Sequence, residues 1–143
     1  GVYYPYHAKL TSLIKQTREL FKKVILLDCH SMPNSAITIA SKKDPVEVVL
    51  GDCFGTSCEP EIVLELKDLL TEVGFKVSLN KPFSGGFITR NYANPPNNIY
   101  VIQIEILRSL YSYEKQQTKN SEFLAIQNRL LGAIEQFIKR FED

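Results

Sequence analysis

The strongest constraint on the fold is the alternation of short apolar, β-branched runs with longer segments of helical periodicity. Residues 24–27 form a continuous apolar run, which predicts a strand buried on both faces, and residues 99–106 predict a second, longer strand. Residues 46–50 predict a third, and the alternating residues 75–79 predict a strand near a sheet edge. Because strands that alternate with helices are typical of α/β proteins, we expect a three-layer α/β sandwich with a mostly parallel or mixed central sheet.

Helical periodicity marks three segments, residues 7–23, 59–74 and 121–141. The second begins with Pro60 between two acidic residues and ends at Gly74, which are typical start and stop signals. The third carries a long apolar stripe, formed by Phe123, Ile126, Leu130, Leu131, Ile134, Phe137, Ile138 and Phe141. We expect these amphipathic helices to pack against the sheet.

Two segments between these elements predict irregular loops, residues 31–45 and residues 81–98, because both contain prolines among polar residues. Loops longer than ~12 residues are usually functional or disordered. Phe83 and Tyr92 argue against disorder in the second loop, so we predict that it has a functional role.

Composition excludes several classes of partner. The chain has 143 residues with 17 basic and 16 acidic side chains, and this balance gives no basic surface for a nucleic acid. This length allows burial of roughly 70% of the unfolded surface, so we predict a single domain over residues 1–143. No apolar run approaches the ~20 residues that cross a bilayer, and residues 1–10 lack the pattern of a signal peptide. We expect a cytoplasmic protein with no nucleic-acid or membrane partner.

The three cysteines predict reduced thiols rather than a metal site. Cys53 and Cys58 have the spacing of half a zinc knuckle, but the two histidines, His7 and His30, stand far upstream. A disulfide between Cys53 and Cys58 would need an oxidising compartment, which nothing in the sequence indicates.

Glu105 is a candidate catalytic residue because it interrupts an apolar strand. An unpaired buried charge costs several kcal/mol, and burial raises the pKa of a carboxyl group. A carboxylate whose pKa lies closer to neutrality suits a general base. The alternative is that Glu105 faces water, or pairs with Arg90 or Arg108.

His30 ends the first strand beside Asp28 and Ser31, where an imidazole fixed by a carboxylate suits a metal ligand or proton carrier. The alternative is a hydrogen-bonded structural histidine. Adjacent strand residues point to opposite faces, so Asp28, His30 and Ser31 cannot form a catalytic triad. Cys29 is a poor nucleophile, because apolar surroundings raise the pKa of a thiol.

The loop of residues 81–98 contains groups suited to an anionic ligand. Arg90 can hold a carboxylate through two parallel hydrogen bonds, and Gly85 and Gly86 allow backbone to approach a ligand closely. The alternative for Arg90 is a solvated loop arginine.

The candidate residues lie in a series of longer sequence runs. These are Tyr4-Pro-Tyr-His7, Leu27-Asp-Cys-His-Ser-Met-Pro33, Leu50-Gly-Asp52 with Phe54-Gly55, Asn80-Lys-Pro-Phe-Ser-Gly-Gly86, Thr89-Arg-Asn-Tyr92 and Gln103-Ile-Glu-Ile-Leu-Arg108 with Leu110-Tyr111. Together these runs resemble the N-formylglutamate amidohydrolase family, and they occur in that family's order over nearly the whole chain. The resemblance implies a phosphorylase/hydrolase-like fold similar to that of the zinc exopeptidases. It also implies a metal-assisted hydrolase that cleaves N-formylglutamate, or a related N-acyl amino acid, as in histidine degradation.

The same resemblance implies roles for individual residues. His30 matches a metal-binding histidine, Glu105 the carboxylate that activates water, and Arg90 the residue that holds the substrate carboxylate. Asn80, with Gly85 and Gly86, matches substrate-binding positions. The residues expected to support the site are His7, Asp28, Ser31 and Asp52. The implied cofactor is zinc, or another divalent metal such as cobalt.

Two departures from the family pattern affect these expectations. Asp52-Cys53 stands where the family usually has Asp-Arg. The chain opens at Tyr3-Tyr4-Pro5, so we expect that it lacks the family's N-terminal segment, whose histidine and acidic residues complete the metal site. One alternative to hydrolysis is an inactive remnant that binds an acidic metabolite or a partner protein, and another is a plain interaction domain. A sheet lacking that segment would expose strand edges, and this predicts homo-oligomers.

Overall fold

The computed structural model describes residues 1–40 and 45–141, whose central sheet has four strands. The strands are β1 (Val24–Met32), β2 (Val48–Gly51), β3 (Val77–Leu79) and β4 (Ile99–Leu107), and they lie in the order β1-β4-β2-β3. β1 is parallel to β4, β2 is parallel to β3, and β2 is antiparallel to β4. The sheet is therefore mixed, as the sequence predicted.

Helices cover both faces of this sheet. They are α1 (Tyr3–Phe21), α2 (Asn34–Ala40), α3 (Pro60–Glu72), α4 (Phe87–Tyr92) and α5 (Phe123–Arg140). α3 and α5 pack on one face, and α1 and α4 contact the other, which gives the predicted three layers. Short connecting elements are the 3-10 turns Pro95–Asn97 and Arg108–Leu110 and a hairpin of β5 (Ser112–Tyr113) and β6 (Thr118–Lys119). Within the described ranges, no helix combines the length and the hydropathy needed to cross a membrane.

The main core lies between the sheet and the layer formed by α3 and α5. Pro60 stands at the start of α3, where its missing N–H costs nothing, and Gly74 ends this segment with a positive φ of 90°. The apolar stripe of α3, including Leu66 and Leu70, packs against alternate residues of β4 such as Ile102 and Ile104. Gln103 and Glu105, which alternate with those isoleucines along β4, therefore point to the opposite face.

β1 departs most from the sequence expectation. It was predicted to be buried on both faces, but it lies at the edge of the described sheet, and Cys29 and His30 are exposed. It also continues to Met32, because it pairs with β4 along its whole length. An apolar run indicates a strand but carries no information about how many neighbours that strand has.

Both segments predicted as irregular loops contain helices. The range 31–45 includes the end of β1 and α2, and its residues 41–44 lie outside the described part of the chain. The range 81–98 contains α4 and a 3-10 turn. α1 begins at Tyr3, ahead of the predicted start at His7. Prolines and glycines between these short helices concealed their periodicity.

The packing of the core predicts that alanine substitutions at two leucines of α3 change the stability by different amounts. Leu66 is fully buried and Leu64 is 44% exposed. Leu66→Ala should lower the free energy of unfolding by about 2–5 kcal/mol, because it leaves a cavity between α3 and the sheet. Leu64→Ala should change it by less than about 0.5 kcal/mol. Urea denaturation followed by circular dichroism measures both, and equal effects would contradict this packing.

Candidate active site

Four polar side chains from two neighbouring strands form a block on the face opposite the main core. Asp28 and His30 of β1 pair in register with Gln103 and Glu105 of β4. Asp28 and His30 are two positions apart in β1, as are Gln103 and Glu105 in β4. All four side chains therefore share one face of the sheet. Gln103 is not among the predicted site residues, although its position two residues before Glu105 in the same strand indicates that shared face.

Glu105 is buried, with 8% of its surface exposed, so it does not face open water. Its Oε1 accepts a hydrogen bond of 2.9 Å from Nε2 of Gln103. Burial raises the pKa of the Glu105 carboxyl, while nearby His30 and the Gln103 hydrogen bond act in the opposite direction. The two arginines offered as ion-pair partners donate to backbone oxygens, Arg90 to Gly85 at 3.0 Å and Arg108 to Ser31 at 3.2 Å.

His30 is held by a carboxylate. Its Nε2 lies 3.1 Å from Oδ1 of Asp28, and the imidazole is about half exposed. This contact orients the ring. Ser31 and Cys29 point to the other face of β1, and partial desolvation together with Asp28 raises the pKa of the Cys29 thiol. All three cysteines are free thiols.

The loop that contains Ser84, Gly85 and Gly86, called the glycine loop below, lies against this polar block. A Cβ on Gly51 would lie 2.6 Å from the carbonyl carbon of Ser84, and one on Gly86 would lie 3.2 Å from Oε1 of Gln103. Gly85 has a φ of +127°, and a Cβ there would lie 2.8 Å from Sγ of Cys53. Gly51 leaves no room for a side chain because the loop backbone touches the sheet directly, and the positive φ of Gly85 favours glycine. The structure therefore brings Gly85 and Gly86 to the polar block.

Asp52 and Asn80 join the ends of β2 and β3. Nδ2 of Asn80 donates to Oδ1 of Asp52 at 2.7 Å, and Oδ1 of Asn80 accepts from the backbone N–H groups of Asp52 and Phe54. The N–H of Cys53 then donates to the carbonyl of Ser84 at 2.7 Å. These bonds fix the base of the glycine loop, so the contacts of Asp52 and Asn80 are with neighbouring loops.

His7 lies in an aromatic cluster between α1 and α4. Its Nδ1 contacts the Tyr92 hydroxyl, and its ring stacks on Tyr92 at 5.8 Å. Phe87, Tyr3 and Tyr6 also contact the imidazole. These contacts anchor α1 to the helix that carries Arg90.

The described residues do not form a complete metal site. Among them, no group of three or more His, Cys, Asp or Glu side chains has an arrangement that could hold a metal ion. Catalytic zinc sites typically use three protein ligands, whereas Asp28 and His30 supply two groups that already contact each other. The donor set on these residues is therefore insufficient for the zinc that the resemblance implied.

Comparison with known proteins identifies the family. The family model of N-formylglutamate amidohydrolase matches residues 1–112, which include every candidate site residue. The chain belongs to the N-formylglutamate amidohydrolase family. It is 33% identical over 125 residues to an N-formylglutamate deformylase of Pseudomonas putida, covering 87% of this chain and 46% of that protein. It is 28% identical over 115 residues to one of Pseudomonas aeruginosa, covering 80% of this chain and 43% of the relative.

Solved structures agree with this membership of the N-formylglutamate amidohydrolase family. A crystal structure of N-formylglutamate amidohydrolase from Ralstonia eutropha JMP134 is 35% identical, with a TM-score of 0.87, and the match covers 96% of this chain and 51% of that one. A protein of Agrobacterium tumefaciens, 18% identical with a TM-score of 0.64 over 99% of this chain and 52% of its own, shares the fold. The chain spans about half the length of the relatives that it matches.

The contact between Gly51 and the glycine loop predicts that two alanine variants differ in stability. Gly51→Ala should destabilise the protein by about 1–3 kcal/mol, because the new Cβ meets backbone atoms of Ser84 that cannot rotate away. Gly132→Ala is the control, since a Cβ at that helical position meets no atom within 4 Å. Thermal and urea unfolding of both variants provide the measurement. An unchanged stability for Gly51→Ala would contradict the placement of the loop.

Proposed function

We propose that this chain carries the general base and the substrate-binding loop of a site that hydrolyses the amide bond of N-formylglutamate or a related N-acyl amino acid. The observation that carries the proposal is the buried Glu105 carboxylate, bonded to Gln103 and in register with His30. Relatives of the chain are N-formylglutamate deformylases, which supports the same chemistry.

Glu105 takes the proton from the attacking water. Gln103 occupies its Oε1, so Oε2 remains available to accept that proton. The water oxygen bonds to the formyl carbon, the carbon–nitrogen bond breaks, and Glu105 returns the proton to the departing amine. The products are formate and the free amino acid. Burial raises the pKa of Glu105, which makes it a stronger base than an exposed glutamate.

Arg90 and the glycine loop bind the acidic substrate. Nη1 of Arg90 donates to the carbonyl of Gly85, and the residue is exposed. A guanidinium can hold a substrate carboxylate through paired hydrogen bonds. The contact between Arg90 and Gly85 ties this group to the loop that covers Gln103. Binding and proton transfer thus use neighbouring parts of one surface.

Binding of zinc, or of another divalent metal such as cobalt, stays a prediction, and His30 is the candidate histidine ligand. When bound, such a metal would polarise the formyl carbonyl and lower the pKa of water. Because the described residues supply too few ligands, further ligands would have to come from other groups. Proton transfer and substrate binding are therefore assigned only to residues of this chain.

The test is formate release from N-formyl-L-glutamate by the purified protein, with and without added zinc or cobalt, together with its metal content. Glu105→Gln should reduce turnover by roughly 100-fold or more, because the amide keeps the shape but cannot accept the proton. Turnover in Glu105→Gln equal to that of the original protein would exclude Glu105 as the base.

The second candidate function is binding of an acidic metabolite or partner without hydrolysis. The incomplete metal-ligand set among the described residues favours it. In that case glutamate would raise the melting temperature with no formate released, and Arg90→Ala would abolish the increase.

The raised pKa of Glu105 predicts a pH dependence of stability with a definite sign. A carboxyl whose pKa is higher in the folded state favours folding when protonated, and this contribution is lost as pH rises through the folded-state pKa. Glu105→Gln should therefore unfold at higher urea concentration than the original protein at pH 7. The difference should shrink as the pH falls below the ordinary range of glutamate, about 4.3. A pH-independent difference would contradict the assignment.

A further inference from the structure

Gln103 is a buried amide that takes no part in the proton transfer itself. Only 5% of its surface is exposed, and it lies in β4, two residues before Glu105. Its neighbours in the strand, Ile102 and Ile104, belong to the core on the other face. Burial of an amide is unfavourable unless the amide forms hydrogen bonds. The contacts of Gln103 on the polar face therefore decide what this side chain does.

The chemistry of the Glu105 carboxylate fixes the orientation of the Gln103 amide. Nε2 of Gln103 donates to Oε1 of Glu105 at 2.9 Å. An ionised carboxylate only accepts hydrogen bonds, so the amide nitrogen, rather than the amide oxygen, must face it. The amide oxygen then faces the glycine loop, where a Cβ built on Gly86 would lie 3.2 Å from it. The amide of Gln103 thus stands between the candidate base and the loop.

The same loop contacts the group that is proposed to bind the substrate carboxylate. Nη1 of Arg90 donates to the carbonyl of Gly85 at 3.0 Å, and Gly86 is the next residue of the loop. Gln103 therefore connects the substrate-binding side of the site with Glu105. Its contacts are with the loop and with the base.

We propose that Gln103 is a positioning residue, which holds the Glu105 carboxylate in the orientation that leaves Oε2 available to the attacking water. A glutamate side chain has several staggered rotamers, and a hydrogen bond to one of its oxygens selects among them. A general base must lie within hydrogen-bond reach of the proton that it removes. Gln103 acts through Glu105, so the inference rests on the proposed hydrolysis.

The kinetics of formate release by Gln103→Met test the proposal, with the metal addition that gives the original protein its highest turnover. Methionine has a similar length but no hydrogen to donate to Glu105. The kcat should fall roughly 10-fold, because the carboxylate regains rotamer freedom. The KM should change by less than about 2-fold, since Arg90 is unaltered. Circular dichroism checks the fold. Gln103→Asn, whose amide is one methylene shorter, is the second variant with the same expected result.

Tyr100 provides a matched control in the same strand. Its hydroxyl donates to Oε1 of Glu59 at 2.9 Å, and its ring is buried in the main core. Tyr100→Phe therefore also removes a hydrogen bond between β4 and a carboxylate, but on the face opposite the polar block. It should leave kcat and KM unchanged.

A double-mutant cycle separates the positioning of Glu105 from a general structural role. In a Glu105→Gln background, Gln103→Met should lower kcat by less than about 2-fold further, because the base that it positions is absent. Losses that multiply in the double variant would overturn the proposal. A Gln103→Met variant with the kcat of the original protein would also overturn it, while a loss of turnover in Glu105→Gln would leave the proposed hydrolysis standing. If the original protein released no formate, the proposed hydrolysis would fail, and this inference with it.

Discussion

The burial of an amide and a carboxylate in the middle of an apolar strand is the constraint on which the rest of the structure depends. Gln103 and Glu105 of β4 satisfy each other through one hydrogen bond, and neighbouring residues of that strand form the core on its other face. Such a pair is tolerated only when its polar atoms have partners. Among the described residues, no fully buried side-chain nitrogen or oxygen lacks one. The sheet can therefore place a carboxylate in a poorly solvated position without losing its core.

The glycine loop has a complementary role. A larger residue at Gly51 would push the backbone of the loop away from β2, and one at Gly86 would crowd the Gln103 side chain. The loop lies against Gln103, the hydrogen-bond partner of Glu105, and burial is the main cause of the raised pKa of that carboxyl. Glycines cost conformational entropy on folding, and the bonds between Asp52 and Asn80 offset part of that cost by fixing the base of the loop.

Local signals predicted those parts of the fold that local chemistry controls. The periodicity of α3 and the apolar run of β4 were sufficient to place both elements, because their partners are simply the core. The position of β1 at the sheet edge depends on which strands pair, and no residue of β1 encodes that choice. The candidate site divides in the same way. Alternation along a strand places Glu105 on one face, whereas the approach of the loop at Gly86 arises only when distant segments fold together.

α5 shows why a pattern can be correct and still incomplete. Its apolar residues predicted an amphipathic helix, and treating them as one stripe joined buried residues with exposed ones on a neighbouring face. Leu130 and Leu131 are adjacent in sequence but about 100° apart around the helix axis, so the first packs toward the core and the second toward solvent. Periodicity therefore identifies the helix, whereas only the packing of the whole chain decides which of its apolar residues lie in the core.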